Sequence, residues 1–242
     1  MTTARRIRTL HRWLSVVIGL QLLAWAVSGF VFTWEPIGVI RGEAFLIEPE
    51  VPVLDAPRAS PAEGALPAGT HGLELTWVRG DWHWRAADAE GETLALFLPG
   101  GAEALPELTA EEAHAAAAPV YAWPEGPGEL VEATLLRETV HEYGGRPLPA
   151  WRLDYDDGYG SSLYVDAHTG QVTLARNDAW RRFDWFWMLH IMDYDERSDF
   201  SHPLLQGAAL LGVTTAITGL WLAVLVFRAR ARARARGGAG AS

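Results

Sequence analysis

The sequence contains neither cysteine nor lysine among its 242 residues. The absence of cysteine excludes disulfides, iron–sulfur clusters held by thiolates, zinc ribbons and the covalent attachment of c-type haem. Any metal or haem must therefore be held by His, carboxylate, Met or Tyr side chains, and any haem must be non-covalent. The sequence also lacks a P-loop, a dinucleotide fingerprint and a G-x-S-x-G motif, so a reductase that uses NAD(P)H would need a partner protein.

Charged residues are absent from two long segments, residues 13–34 and residues 203–227. At 1.5 Å per residue the first segment extends for roughly 33 Å, which is enough to cross a hydrocarbon core of about 30 Å. We therefore predict a transmembrane helix over each range. Trp34, Glu35 and Pro36 follow the first run where a small-residue cleavage site would be needed, so this segment is predicted to be an uncleaved anchor.

Arginines and acidic residues are divided between the two ends of these segments. Arginines precede the first segment and follow the second, whereas acidic residues lie at the opposite ends. The positive-inside rule therefore predicts a bacterial inner-membrane protein with a cytoplasmic N-terminus (1–12), a cytoplasmic Arg-rich tail (228–242) and a periplasmic central domain. The tail is interpreted as a lipid-headgroup anchor. The expected partner is thus the lipid bilayer, with no nucleic acid.

The central part of the chain is predicted to be a linker followed by a folded domain. Residues 49–70 are rich in Pro, Ala and Gly, which is typical of a linker, and the linker is assigned to residues 35–70. Residues 71–180 are assigned to the domain, and residues 181–202 to an aromatic and acidic juxtamembrane segment. Alternating patterns predict strands at 73–78, 82–87, 93–98, 130–142, 150–155, 161–165 and 171–175, and a helix at 109–118. Thr109 and Glu112 form a capping box for that helix. The pattern predicts an α+β fold with a helix on an antiparallel sheet, built once or in duplicate.

Several motifs resemble those of one membrane-protein family. The segment Leu163 to Val172 reads LYVDAHTGQV and resembles the PepSY domain, which ends a strand pair with a YVDxxTG turn. The sequence around His11, Leu189-His190 and the end of the second apolar segment resemble helices of PepSY-associated transmembrane proteins. The resemblance implies two transmembrane helices flanking an extracytoplasmic PepSY-like domain. Some proteins of this group are proposed to reduce iron and siderophores with b-type haem, so the resemblance also implies haem b and electron transfer, the activity of an oxidoreductase if the chain is an enzyme.

Three histidines near the ends of the apolar segments are the candidate haem ligands: His11, His190 and His202. A neutral imidazole is a good axial ligand for haem iron. The alternatives are an interfacial residue for His11, a residue without special function for His190 and an ordinary helix start for His202. His11 is separated from the other two by roughly 25 to 30 Å. One haem therefore uses the outer pair, or equivalent residues of a homodimer meet across a two-fold axis.

Four carboxylates between His190 and His202 are candidate ligands for a hard cation such as ferric iron: Asp193, Asp195, Glu196 and Asp199. The alternative is a solvated acidic loop.

Longer members of the group have about four spans, a number that two copies of this chain would restore. Two other functions stay open, because a fold does not determine a function: a non-catalytic PepSY binding or regulatory module, and an accessory subunit of a larger membrane redox complex.

Overall fold

The computed structural model describes residues 3–122 and 128–238 and divides the chain into two compact units. One unit contains both termini, within Met1–Trp34 and Phe183–Ser242, and the other contains Glu35–Arg182. The first unit is helical and the second holds all seven strands of the described residues. The last residues of the Arg-rich tail, 239–242, lie outside the described residues.

Two long helices form most of the first unit, α1 (Thr3–Phe32) and α5 (Pro203–Gly238), and they pack against each other. Their segments Arg5–Phe32 and Pro203–Arg232 are long and apolar enough to cross a membrane, with mean hydropathies of 2.0 and 2.2. Only about a tenth of each apolar window is buried, unlike the core helix of a soluble protein. The buried side chains of the two helices include Ile18 and Ser28 on α1 and Ala208 and Thr215 on α5.

The second unit begins with short elements that belong to its core. Helix α2 (Ile37–Ile40) buries Ile40, and Phe45 and Leu46 pack against the main core of the domain. Gly42 adopts φ +74° and lies so close to Ala175 that a Cβ would sit 2.8 Å from its carbonyl oxygen. The predicted linker 35–70 is therefore too long at its start, because apolar side chains at 40–46 are buried in the domain.

A three-stranded antiparallel sheet follows, formed by β1 (Gly72–Val78), β2 (Asp81–Ala87) and β3 (Thr93–Phe97) in that order. Arg79 and Gly80 connect β1 to β2, with φ values of 53° and 77°. Positive φ at both central residues of a two-residue loop gives a turn that matches the twist of a hairpin. The three strands were all predicted, to within one residue at each end.

Helix α3 (Ala110–Ala117) and a four-stranded antiparallel sheet form the rest of the domain. The sheet contains β4 (Glu129–Leu136), β5 (Ala150–Asp156), β6 (Ser162–Asp166) and β7 (Val172–Arg176), in the order β4-β5-β6-β7. Ala113 and Ala117 of α3 and Leu153, Leu163 and Val165 of the sheet are buried together in its core. The capping box of Thr109 and Glu112 is confirmed.

Two predictions for this domain need correction or narrowing. The strand predicted over 130–142 ends at Leu136, because Leu136 pairs with Ala150, the first residue of β5, and the ladder has no partner beyond it. The helix-on-sheet arrangement is built once, by α3 on the four-stranded sheet. Strands β1, β2 and β3 follow one another without an intervening helix.

Candidate functional site

His190 lies in the last turn of α4 (Asp178–Ile191) and its ring is held by α1. Its Nδ1 lies 2.7 Å from the Oγ of Ser28, which is fully buried. The same Oγ lies 2.7 Å from the carbonyl oxygen of Ala24, four residues earlier on α1. A serine hydroxyl has one hydrogen, and both contacts are satisfied when it is donated to the Ala24 carbonyl and the hydroxyl oxygen accepts from Nδ1–H of His190. This assignment of the tautomer leaves Nε2 as the nitrogen open to a further partner.

The environment of His190 is aromatic. The rings of Phe32, Trp25 and Trp187 have centroids 5.3, 6.4 and 6.5 Å from the imidazole, and Trp187 is nearly parallel to it. Burial lowers the pKa of His190 because removal of water disfavours the charged form. The imidazole is thus neutral at physiological pH, and no partner for its Nε2 is found among residues 3–122 and 128–238.

The C-terminal end of α4 is capped by side chains from the two long helices. Three consecutive carbonyl oxygens, which helix ends leave without intrahelical partners, accept hydrogen bonds. The donors are Gln21 to Leu189 (3.2 Å), Trp25 to His190 (2.7 Å) and His202 to Ile191 (2.9 Å). These bonds hold the backbone of the last turn of α4, on which His190 lies.

His11 has the same arrangement near the other end of α1. Its Nδ1 lies 3.0 Å from the Oγ1 of Thr218, whose hydroxyl donates to the carbonyl oxygen of Thr214 at 2.8 Å. When the Thr218 hydroxyl donates to Thr214, its oxygen accepts from Nδ1–H of His11, as in the pair of Ser28 and His190. The ring lies over Gly219, where a Cβ would come within 2.9 Å of Cε1. A glycine is thus needed at this position for the ring to fit.

The two imidazoles lie far apart. Ser28, which holds His190, follows His11 by about 17 residues on α1, so roughly 25 Å of helix separates the two rings. The structure thus places one imidazole near each end of the paired spans. It does not bring His11 and His190 together within one chain.

His202 differs from the other two histidines because both of its ring nitrogens are occupied. Nε2 donates to the carbonyl oxygen of Ile191, and Nδ1 accepts from the backbone N–H of Leu205 at 3.4 Å. The second contact places His202 at the N-terminus of α5, which begins at Pro203. In this arrangement neither ring nitrogen of His202 has a lone pair available for a metal. The geometry agrees with the alternative interpretation of His202, a residue at the start of a helix.

The four predicted metal ligands lie in the loop between α4 and α5. Asp193 accepts hydrogen bonds from the backbone N–H groups of Ser198 and Asp199, at 2.9 and 3.0 Å. These bonds lower the pKa of the Asp193 carboxyl. They also point this carboxylate at the backbone of its own loop. No cluster of three or more His, Asp or Glu side chains that could hold a metal ion occurs among the residues described. A metal site at Asp193, Asp195, Glu196 and Asp199 stays a prediction.

Ser28 and Thr218 are the residues of this site that the sequence did not reveal. Both are small hydroxyl residues within apolar helices, where bonding to the carbonyl at i−4 is common and carries no functional signal. Ser28 lies 162 positions from His190, and Thr218 lies 207 positions from His11. The pairing arises only when the helices pack. Gln21, a polar residue within the first apolar segment, contacts α4 through its bond to Leu189.

The sequence model of the PepSY-associated TM region matches residues 8–241. The chain belongs to this family. Both spans, the central α+β domain and all three histidines lie within the match, so the PepSY resemblance and the fold class predicted from the sequence are confirmed. The chain is a PepSY membrane protein. No match was found among curated proteins or solved structures.

Proposed function

We propose that this PepSY membrane protein binds b-type haem through the Nε2 atoms of His11 and His190 and transfers electrons across the bacterial inner membrane. One observation carries the proposal. At each end of α1 a hydroxyl lies within hydrogen-bond distance of the Nδ1 of an imidazole: Ser28 at 2.7 Å from His190, and Thr218 at 3.0 Å from His11. Histidines that ligate metals have this arrangement, in which the second ring N–H is donated to a neighbouring oxygen.

The donor set fits haem at two of the three predicted ligands. His11 and His190 each have Nδ1 next to a hydroxyl and no hydrogen-bond partner for Nε2 among the described residues, whereas both nitrogens of His202 are occupied by backbone groups. Haem iron, when bound, supplies one-electron redox chemistry whose potential depends on its axial ligands and its surroundings. Ser28 and Thr218 would hold the ring orientation and increase the basicity of Nε2. Trp25, Phe32 and Trp187 would exclude water from the side of His190.

A second copy of the chain would complete each site. One chain supplies a single imidazole near each end of its spans, and ligation by two imidazoles requires another. A two-fold axis along the membrane normal would bring equivalent histidines together and give a four-span homodimer, the same count as in longer members of the group. A larger membrane redox complex would supply the second ligand from a different subunit. In either case the arginine-flanked termini lie in the cytoplasm, and electrons leave on the periplasmic side toward ferric iron or a ferric siderophore.

The experiment that tests the proposal is a reduced-minus-oxidised absorption spectrum of the protein purified in mild detergent from haem-sufficient cells. We expect Soret and α bands of b-type haem ligated by two imidazoles. Alanine substitution of His11 or of His190 should each remove part of this signal. His202→Ala is the matched control, since it also removes an imidazole that contacts α4 but should leave the bands in place.

Rescue with free imidazole separates ligation from a structural role. In His190→Gly the cavity left by the side chain admits imidazole, and the lost bands should return when imidazole is added. A folded preparation without these bands, from cells that load other b-type cytochromes, would rule out haem binding. Bands that persist in His11→Ala and His190→Ala would assign the ligands elsewhere.

A further inference from the structure

The PepSY domain contains a cleft of about 1000 Å³ that the haem proposal does not use. Its walls are the β1–β2 hairpin, the end of α3, residues 46–49 and the start of β7. Apolar side chains make up much of the lining, among them Ile47, Trp77, Val78, Leu108 and Val172. A largely apolar concavity of this size with a few polar groups is typical of a ligand site.

The YVDxxTG turn forms one wall of this cleft. The Asp166 carboxylate accepts hydrogen bonds from the backbone N–H groups of His168 and Thr169, at 2.9 and 2.6 Å. Gly170 follows with φ +73°, and a Cβ there would lie 3.2 Å from Leu108. The turn thus has a fixed shape and packs closely against its neighbour. The YVDxxTG turn therefore forms the part of the cleft wall that directly precedes β7.

The charges of the cleft are mostly negative. The guanidinium of Arg79 donates to the carbonyl oxygens of His168 (2.7 Å), Pro106 (2.9 Å) and Ala167 (3.4 Å), so most of its donors are used within the domain. Glu112 is engaged as well, because its Oε2 accepts from the N–H and the hydroxyl of Thr109, whereas Glu48 is exposed. The exposed carboxylate of Glu48, and two acidic residues against one basic residue in the lining, favour a ligand with positive charge.

Strand β7 offers backbone groups next to this cleft. It is the last strand of the β4-β5-β6-β7 sheet and, among the strands of residues 3–122 and 128–238, it pairs with β6 alone. An edge strand presents a row of N–H and C=O groups that can pair with another strand. Gly42 covers this edge near Ala175, whereas Gln171, Val172 and Thr173 line the cleft. The first residues of β7 are therefore open to a ligand in the cleft, whereas the edge near Ala175 is covered by Gly42.

From these features we infer that the cleft binds an extended peptide segment of alternating apolar and basic residues, which pairs with the start of β7. Backbone hydrogen bonds to the strand edge would supply affinity without regard to sequence, as in other cases of strand addition. Apolar side chains of the peptide would contact Ile47, Trp77 and Val172, and its basic side chains would face Glu48 and Glu112. This function is independent of haem and of the two spans.

Fluorescence polarisation of three labelled peptides tests the inference on the full chain in nanodiscs of zwitterionic lipid. The first probe is Gly-Val-Lys-Val-Lys-Val-Gly. The second has Glu in place of Lys, and the third keeps the Lys residues but has N-methylated valines, which cannot donate to a strand edge. We expect the first probe to bind at least fivefold more tightly than either of the others, because only the first matches both the charge and the hydrogen bonding of the cleft.

Paired substitutions place the binding at the cleft. Glu48→Arg should weaken binding of the first probe about fivefold, whereas Glu50→Arg makes the same charge change two residues away and should leave it unaltered. Ala115→Trp should block the cleft, and Glu111→Trp, on the same helix but outside the lining, should not. Equal binding of all three probes, or equal affinities for Glu48→Arg and Glu50→Arg, would overturn the inference. The haem spectrum of the same samples reports separately on the redox proposal.

Discussion

The membrane unit and the PepSY domain fix their structures by different forces. In the PepSY domain, apolar side chains such as Leu153, Leu163 and Val165 are completely removed from water. In the membrane unit, burial of apolar side chains cannot select which helix faces pack together, because lipid is as apolar as the side chains that it contacts. There, hydrogen bonds of His11 and His190 to hydroxyls join one helix to another. Polar residues thus determine which helix faces pack in one unit, and apolar residues do so in the other.

The largest effect that tests this contrast is expected from Leu153→Ala. Leu153 has no exposed surface, and loss of a fully buried leucine leaves a cavity that lowers the free energy of unfolding by about 3 kcal/mol. Urea unfolding of the full chain in nanodiscs, followed by near-UV circular dichroism, measures this change. Val131→Ala is the control, since Val131 is 69% exposed on β4 and should change stability by less than about 0.5 kcal/mol. Similar losses in the two variants would refute the assignment of the core.

Arg79→Ala should have the next largest effect, and it tests whether polar contacts also matter in the PepSY domain. The substitution removes the donor to the carbonyl oxygens of His168 and Ala167 in the YVDxxTG turn and of Pro106 before α3. Loss of these hydrogen bonds should lower the free energy of unfolding by about 2 kcal/mol. The same urea titration detects the loss. Arg58→Ala, which removes only an exposed ion pair with Asp55, should be almost neutral, and an equal loss there would contradict the role of Arg79.

The contrast between the units also explains what the sequence could predict. Spans, strands and α3 follow from patterns within a few residues: uncharged runs, alternation, and the capping box of Thr109 and Glu112. The predictions failed where the outcome depends on distant partners. Strand β4 ends early because β5 begins at Ala150, and the buried position of Ile40 depends on the folded domain. The family resemblance singled out His190, but the hydroxyl that fixes its tautomer comes from a helix 162 positions earlier.

Gly219→Ala tests the fit of His11 within the membrane unit. The added Cβ would lie 2.9 Å from the imidazole, so the ring or the helix must move at a cost of about 1–2 kcal/mol. Thermal unfolding in detergent should show a lower midpoint for this variant. Gly207→Ala is the matched control, because a Cβ at Gly207 meets nothing within 4 Å. If His11→Ala does not relieve the loss caused by Gly219→Ala, the contact between the two residues is not its cause.

A double-mutant cycle between Ser28 and His190 measures the hydrogen bond that carries the functional proposal. Ser28→Ala and His190→Ala should couple by about 0.6 kcal/mol, the average for interhelical hydrogen bonds in membranes. Thermal unfolding of the two single variants and of the double variant provides the values. The pair Thr215 and His190 is a suitable reference, since Thr215 bonds within α5 to Leu211 and should show no coupling. Additive effects of Ser28→Ala and His190→Ala would mean that the bond does not hold the ring.

The smallest expected effect is the pH dependence that His190 contributes, because its ring is only partly buried. Burial lowers the pKa of His190 in the folded protein below its ordinary value of 6.5. In the window below pH 6.5 the unfolded chain therefore binds more protons than the folded chain at this site, and stability falls as the solution is acidified. Thermal midpoints measured from pH 7.5 down to pH 5 should decrease more steeply for the wild type than for His190→Asn. An identical slope in the variant would show that the imidazole is as accessible to protons in the folded protein as in the unfolded chain, contrary to its position among Trp25, Phe32 and Trp187.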